Sequence, residues 1–204
     1  MKPLQTSVFF ILFHAILLSG CNRVMEQNPE ENPGISDKSI FNLTTRWNTQ
    51  DSTSVQLKDL KGKVLVIVMI YTSCKVACPR LVADMKNIEA QMPVDRINGI
   101  NFVLVSIDPE TDTPSRLKRF AKENEMDEPQ WTFLQGTKSG VEEFANVLAV
   151  KYKEISPMDF SHSNIISVFN PKGELVHQRE GLGVSNEETI QMIINTLNTQ
   201  KTKS

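Results

Sequence analysis

KVLVIVMIYTSCKVACP, residues 63–79, is the stretch on which the reading of this 204-residue chain turns. Lys63 to Tyr71 is a nearly unbroken run of β-branched and apolar residues, as in a central strand buried on both faces. Cys74 follows at once, and beyond it Leu81, Met85 and Ile88 recur with helical spacing. The two cysteines therefore fall where a buried strand gives way to a helix. Read as the start of that helix, Cys74 and Cys78 share one face. Their Cα atoms would lie about 6 Å apart along the axis, within the span of a disulfide. Such a pair can chelate a soft metal when reduced or close into a bridge when oxidised. A helix N-terminus favours the thiolate that either task needs. A purely structural bridge over so short a loop would restrict the unfolded chain very little, so the pair reads as functional.

Outward from this stretch the chain alternates strand and helix. Ile40–Trp47 and Thr53–Leu57 flank the turn residues 48–51 and predict an N-terminal β-hairpin. Asn101–Ile107 repeats the buried-strand pattern. Thr113 and Pro114 supply an N-cap and a first-turn proline for a helix with Leu117, Phe120 and Ala121 on its apolar side. Trp131–Leu134 reads as a short strand or loop, and Gly140–Leu148 as a third helix. Ile165–Phe169 and Glu174–His177 flank Asn170-Pro171-Lys172-Gly173 as a hairpin, and Glu187–Leu197 closes the chain as an amphipathic helix. Buried strands alternating with helices predict an α/β three-layer sandwich around a central mixed sheet. A cysteine pair directly after the first buried strand makes that sandwich thioredoxin-like.

Few residues are available for the site's chemistry. The chain has three cysteines and three histidines. His177 falls in a hairpin strand and reads as an ordinary edge residue. His162 lies in the polar stretch Met158–Asn164, read as a loop leading into the next strand, where it is a plausible third ligand beside the cysteines. Two thiolates and an imidazole suit soft copper. Structural zinc would ask for a fourth protein ligand. Cys74, Cys78 and His162 are thus the candidate metal ligands, for one copper ion per chain.

The ends and the composition set the context. Val8–Leu18 is apolar but short of the roughly 20 residues of a membrane-spanning helix. It has the length of a signal-peptide core, with Lys2 before it and small residues after it. Leu18-Ser19-Gly20-Cys21 resembles a lipobox, which makes residues 1–20 a lipoprotein signal peptide and Cys21 the lipid anchor. Residues 21–38 read as a flexible tether and residues 39–204 as the domain. Export would place Cys74 and Cys78 where disulfides persist, on the extracytoplasmic, periplasmic side of the cell envelope. The net charge of -2 argues against a nucleic-acid partner.

Three blocks together resemble the Sco/SenC family: Tyr71–Pro79 with its Cys-x-x-x-Cys-Pro, Val105–Pro114 around Asp108, and His162 followed by Phe169–Glu174. They cover the domain from about residue 40 to 197. The resemblance implies a copper chaperone for the binuclear copper site of cytochrome c oxidase, here tethered to the membrane through Cys21. Copper would be bound by Cys74, Cys78 and His162, and Asp108 would be a residue that tunes the site or meets a partner. Asp108 also reads simply as a strand-end turn. Ser161 stands where many members carry an acid before the histidine. The copper-bearing oxidase subunit and a thiol-disulfide reductant are the implied partners. The alternative is a thiol-disulfide reductase that reduces the oxidase cysteines, which needs Cys74 and Cys78 but not His162. A peroxidase ranks below both, because the chain lacks a Pro-x-x-x-Thr-x-x-Cys block.

Overall fold

The computed structural model describes residues 34–156 and 159–201. The expected signal peptide, the Cys21 anchor and most of the expected tether lie outside the described residues. Among the described residues, strands and helices follow in the order β1 (Arg46–Thr49), β2 (Ser54–Gln56), β3 (Val64–Ile70), α1 (Ala77–Ala90), β4 (Ile100–Ser106), α2 (Pro114–Glu123), β5 (Trp131–Gln135), α3 (Lys138–Val147), β6 (Tyr152–Ser156), β7 (Asp159–His162), β8 (Ile165–Phe169), β9 (Leu175–Glu180) and α4 (Glu187–Lys201). Seven strands form one mixed sheet in the order β2-β1-β5-β4-β3-β8-β9, and β6 with β7 forms a separate two-stranded sheet. Every residue of β3 and β4 is buried, as the apolar runs require of strands covered on both faces. The fold is the expected thioredoxin-like α/β sandwich.

The topology brings three loops to one end of the sheet. β3 and β4 run parallel, with Ile70 opposite Ser106, so the loops after both strands emerge side by side. The Ile107 amide donates to the Ile70 carbonyl (2.8 Å) and extends the pairing one step. β8 runs antiparallel to β3, with Ile166 opposite Val68. The segment leading into β8 therefore arrives at that same end. In open α/β sheets this C-terminal edge is where ligand sites form.

Local chemistry fixes the elements as read, with three corrections. Ile40–Asn42 is a 3-10 turn and not the start of a strand, and the hairpin strands are correspondingly shorter. α1 starts at Ala77, so Cys78 is in the helix and Cys74 is in the loop before it. The cysteines do not share a helix face. Tyr152–Ser156 and Asp159–His162 pair as antiparallel strands of their own, which places His162 at the end of a strand and not in a loop. Elsewhere Thr113 caps α2 through the Arg116 amide with Pro114 in the first turn, as read. The β8–β9 turn depends on Gly173. Its φ is +77°, and a Cβ there would come within 2.6 Å of Ser39 Oγ and 2.8 Å of Phe41.

Candidate metal and thiol site

The site begins with the exit of β3. Asp112 is fully buried, and its Oδ2 accepts from the Thr72 amide (3.0 Å) and the Ser106 hydroxyl (2.7 Å). Its Oδ1 accepts from the Thr72 hydroxyl and lies 3.6 Å from Arg116 Nε. Arg116 Nε also donates to Thr72 Oγ1 (2.6 Å). One carboxylate thus ties β3, the end of β4 and α2 to the residue two positions before Cys74. Burial raises the Asp112 pKa and the nearby Asp108 charge adds to this, against the hydrogen bonds from Thr72 and Ser106. The sequence singles out Asp108 from the same block. The only signal in it for Asp112 is a place beside the Thr113 helix cap.

Asp108 has a different setting. Its amide donates to Ser106 Oγ (3.0 Å), and its Oδ1 accepts from the Thr111 amide (3.3 Å). These bonds shape the strand-end turn. The carboxylate is buried, and Oδ2 has no hydrogen-bond partner among the described residues.

The two cysteines are chemically unequal. Cys74 is half-buried and Cys78 fully buried, and both are free thiols. Val76 at the N-cap provides no side-chain bond, yet the Cys78 amide in the first turn donates to Cys74 Sγ (3.3 Å). The Cys74 sulfur therefore serves one of the helix's open N–H groups. Burial works to raise the Cys74 pKa. Hydrogen bonds involving the backbone of Cys78 and Val76 and the side chains of Cys78 and Tyr71 outweigh it, holding the thiol below its ordinary value. Burial pushes the Cys78 thiol far up, and the charges of Cys74 and Asp112 add to that, against a hydrogen bond to the Tyr71 backbone. The thiolate that a helix start is expected to favour is favoured at Cys74 and not at Cys78, whose burial overrides the effect.

His162 arrives on β7, and Tyr71, the last residue before the cysteine loop, holds this strand in place. The Tyr71 hydroxyl bridges the Phe160 backbone, accepting from its amide and donating to its carbonyl, both at 3.3 Å. The Tyr71 ring meets those of Phe160 and His162 edge-on, at centroid distances of 5.2 and 5.9 Å. His162 Nδ1 lies 3.1 Å from the Ser163 carbonyl, which can only accept, so Nδ1 carries the proton in the neutral ring. Nε2 is left with its lone pair facing Cys78 Sγ at 3.8 Å. Burial lowers the His162 pKa, against the bond to the Ser163 carbonyl. His177 is elsewhere, with Nε2 3.0 Å from Thr189 Oγ1, joining β9 to α4.

Part of the donor set already has the spacing a soft metal needs. With metal–sulfur and metal–nitrogen bonds of about 2.3 and 2.0 Å, two ligands of a trigonal ion stand about 3.7 Å apart. Cys78 Sγ and His162 Nε2 are 3.8 Å apart, so this pair fits. Among the described residues no three Cys, His, Asp or Glu side chains already stand together at metal-holding spacing. Cys74, the third residue of the candidate set, lies on the loop before α1, where its Sγ accepts from the Cys78 amide.

Comparison with known proteins gives a consistent result. The SCO1/SenC family model matches residues 36–198. A SCO1 protein homolog of Bacillus subtilis is 30% identical over 139 residues, covering 67% of this chain and 72% of that protein. Among solved structures, BsSco, described as a member of the Sco family of cytochrome c oxidase assembly proteins with a disulfide switch, is 26% identical with a TM-score of 0.66, covering 75% of this chain and 91% of that one. Arabidopsis thaliana ScoI, solved with copper bound, is 21% identical with a TM-score of 0.63, covering 76% of this chain and 96% of that one.

Proposed function

The chain belongs to the SCO1/SenC family, and from that premise we propose that it is a copper metallochaperone that holds one copper ion through Cys74, Cys78 and His162 and passes it to the copper-bearing subunit of cytochrome c oxidase. The observation that carries this reading is the approach of His162 Nε2 to Cys78 Sγ at 3.8 Å, with the imidazole lone pair turned to the sulfur by the Ser163 carbonyl. A thiol-disulfide pair has no need of such an imidazole. Copper bound to ScoI and the oxidase-assembly role of BsSco support the reading by likeness. Two thiolates and one imidazole satisfy Cu(I), which accepts low coordination and can be handed on by stepwise ligand exchange. Cys74, the more exposed ligand, is where exchange with a receiving thiol would begin.

In this proposal residues 1–20 are a signal peptide, Cys21 is acylated, and residues 21–38 tether the domain, residues 39–204, to the membrane on its extracytoplasmic side. Among the described residues no helix is long and apolar enough to cross a membrane. A thiol-disulfide reductant would keep Cys74 and Cys78 reduced for loading.

The second reading, a thiol-disulfide reductase acting on the oxidase cysteines, is favoured by the inequality of the two thiols. Anaerobic copper binding by the reduced protein separates the two. One copper per chain, lost or sharply weakened in Cys74→Ser, Cys78→Ser and His162→Ala, supports the chaperone. Copper affinity unchanged in His162→Ala sinks the ligand assignment, and no stable copper with a readily reducible bridge favours the reductase.

A further inference from the structure

The surroundings of Cys74 are basic although the whole chain is slightly acidic, with a net charge of -2. Lys75 and Arg80 are exposed, and among the described residues neither has an ion-pair partner. Arg80 reaches across to the loop after β9, where its guanidinium would stand 3.1 Å from a Cβ at Gly183. A cleft of about 280 Å³ is lined by Thr72, before the cysteines, with Arg116, Arg119, Phe120 and Glu123. Glu123 is the one acid among these linings. Arg116 is committed to Thr72 and Asp112, whereas Arg119 is exposed and has no ion-pair partner among the described residues. Val76, between the two cysteines, is 75% exposed. Exposed cations on the cysteine loop, at the start of α1 and in the cleft lined by Thr72, beside exposed Val76, make a surface complementary to an acidic segment with an apolar side chain of its own.

We propose that this rim is the docking face for an acidic segment of a partner protein, which presents its cysteine to Cys74 while its carboxylates lie against Lys75, Arg80 and Arg119. This deepens the proposed function, since it rests on Cys74 being the ligand at which exchange begins.

Three pentapeptides with a central cysteine flanked by glutamates, lysines or glutamines, each capped as a 2-pyridyl disulfide, test it on the reduced full chain. The Cys74 thiolate attacks the peptide sulfur, a Cys74–peptide S–S bond forms, and the peptide–pyridyl S–S bond breaks. The electron pair leaves on the pyridyl sulfur, which takes a proton as pyridine-2-thione and is read by absorbance. Within one protein the attacking thiolate is common to all peptides, so rate ratios report docking once each is divided by the peptide's rate with a small free thiol. The glutamate peptide is expected to react about tenfold faster than the glutamine peptide at low salt, falling to about twofold near 0.3 M. The lysine peptide is expected to be slowest. The triple variant Lys75→Gln, Arg80→Gln, Arg119→Gln should bring the ratio to near one, and Lys75→Glu should lower it. Equal rates for all three peptides in the wild type overturn the proposal. So does flotation with phosphatidylglycerol vesicles but not with neutral phosphatidylcholine vesicles, alongside equal peptide rates, which would assign the face to lipid headgroups. Failure to bind copper with the peptide ranking intact would overturn the chaperone reading and leave the docking face standing.

Discussion

Replacing Asp112 tests whether a buried carboxylate organises the cysteine loop. Asp112→Ala leaves the Ser106 hydroxyl, the Thr72 amide and the Thr72 hydroxyl without their acceptor. An unpaired buried donor costs about 1–3 kcal/mol. Ser106 is fully buried and bears that cost, while half-buried Thr72 recovers part of it from water. The expected loss is about 3 kcal/mol after release of the buried charge, or a fall in Tm of roughly 6–12 °C for a chain of this size. Asp112→Asn behaves differently. Its carbonyl can occupy the Oδ2 position, which serves both the Thr72 amide and the Ser106 hydroxyl. Its amide replaces Oδ1, so the Thr72 hydroxyl loses its acceptor and Arg116 its carboxylate, yet no charge is buried and the change should be about 1 kcal/mol at pH 7, well short of the Ala variant. Because the folded pKa of Asp112 is raised, the folded state binds the proton more tightly than the unfolded chain. Its contribution to stability therefore grows as pH falls from the raised value toward the ordinary value of about 3.9. The wild type should gain on the Asn variant across that window. Thermal melts of the three proteins at pH 7 and pH 4.5 are the assay. An Ala variant as stable as the Asn variant would refute the carboxylate's role in holding the loop.

Further outcomes follow from the same geometry. At pH 7 iodoacetamide should alkylate Cys74 in Cys78→Ser at least about tenfold faster than Cys78 in Cys74→Ser, read by mass spectrometry, since Cys74 is the lower-pKa and more exposed thiol. His162 has a lowered folded pKa, so the unfolded chain takes up its proton first and stability is lost as pH falls through about 6.5. The metal-free His162→Gln variant should show a smaller fall in Tm between pH 7.5 and 5. Gly173→Ala should destabilise by roughly 2–3 kcal/mol in denaturant melts, because it combines a left-handed backbone with a collision against Ser39 and Phe41.

The central strands and the cysteine motif are legible in the sequence because burial on both faces leaves an unmistakable apolar run at 64–70 and 100–106. The pair β6–β7 is not, because Lys153, Glu154, Ile155 and Ser161 are exposed, and propensity carries little signal where packing does not select the residues. Asp108 and Asp112 look alike in the sequence, and only the register of β3 against β4 decides which one reaches Thr72. The inequality of the cysteines is also hidden, since it depends on α1 beginning at Ala77 and not at Cys74.

The two-stranded sheet carrying His162 is separate from the seven-stranded one. Tyr71 is its latch, through one hydroxyl and two ring contacts. Opening the hairpin therefore breaks no rung of the main sheet, and its free energy can lie well below that of global unfolding. A cargo held partly by this arm would be retained or released according to how often the latch lifts. If His162 holds copper as proposed, residence time becomes a property of a local fluctuation, set in part by Tyr71.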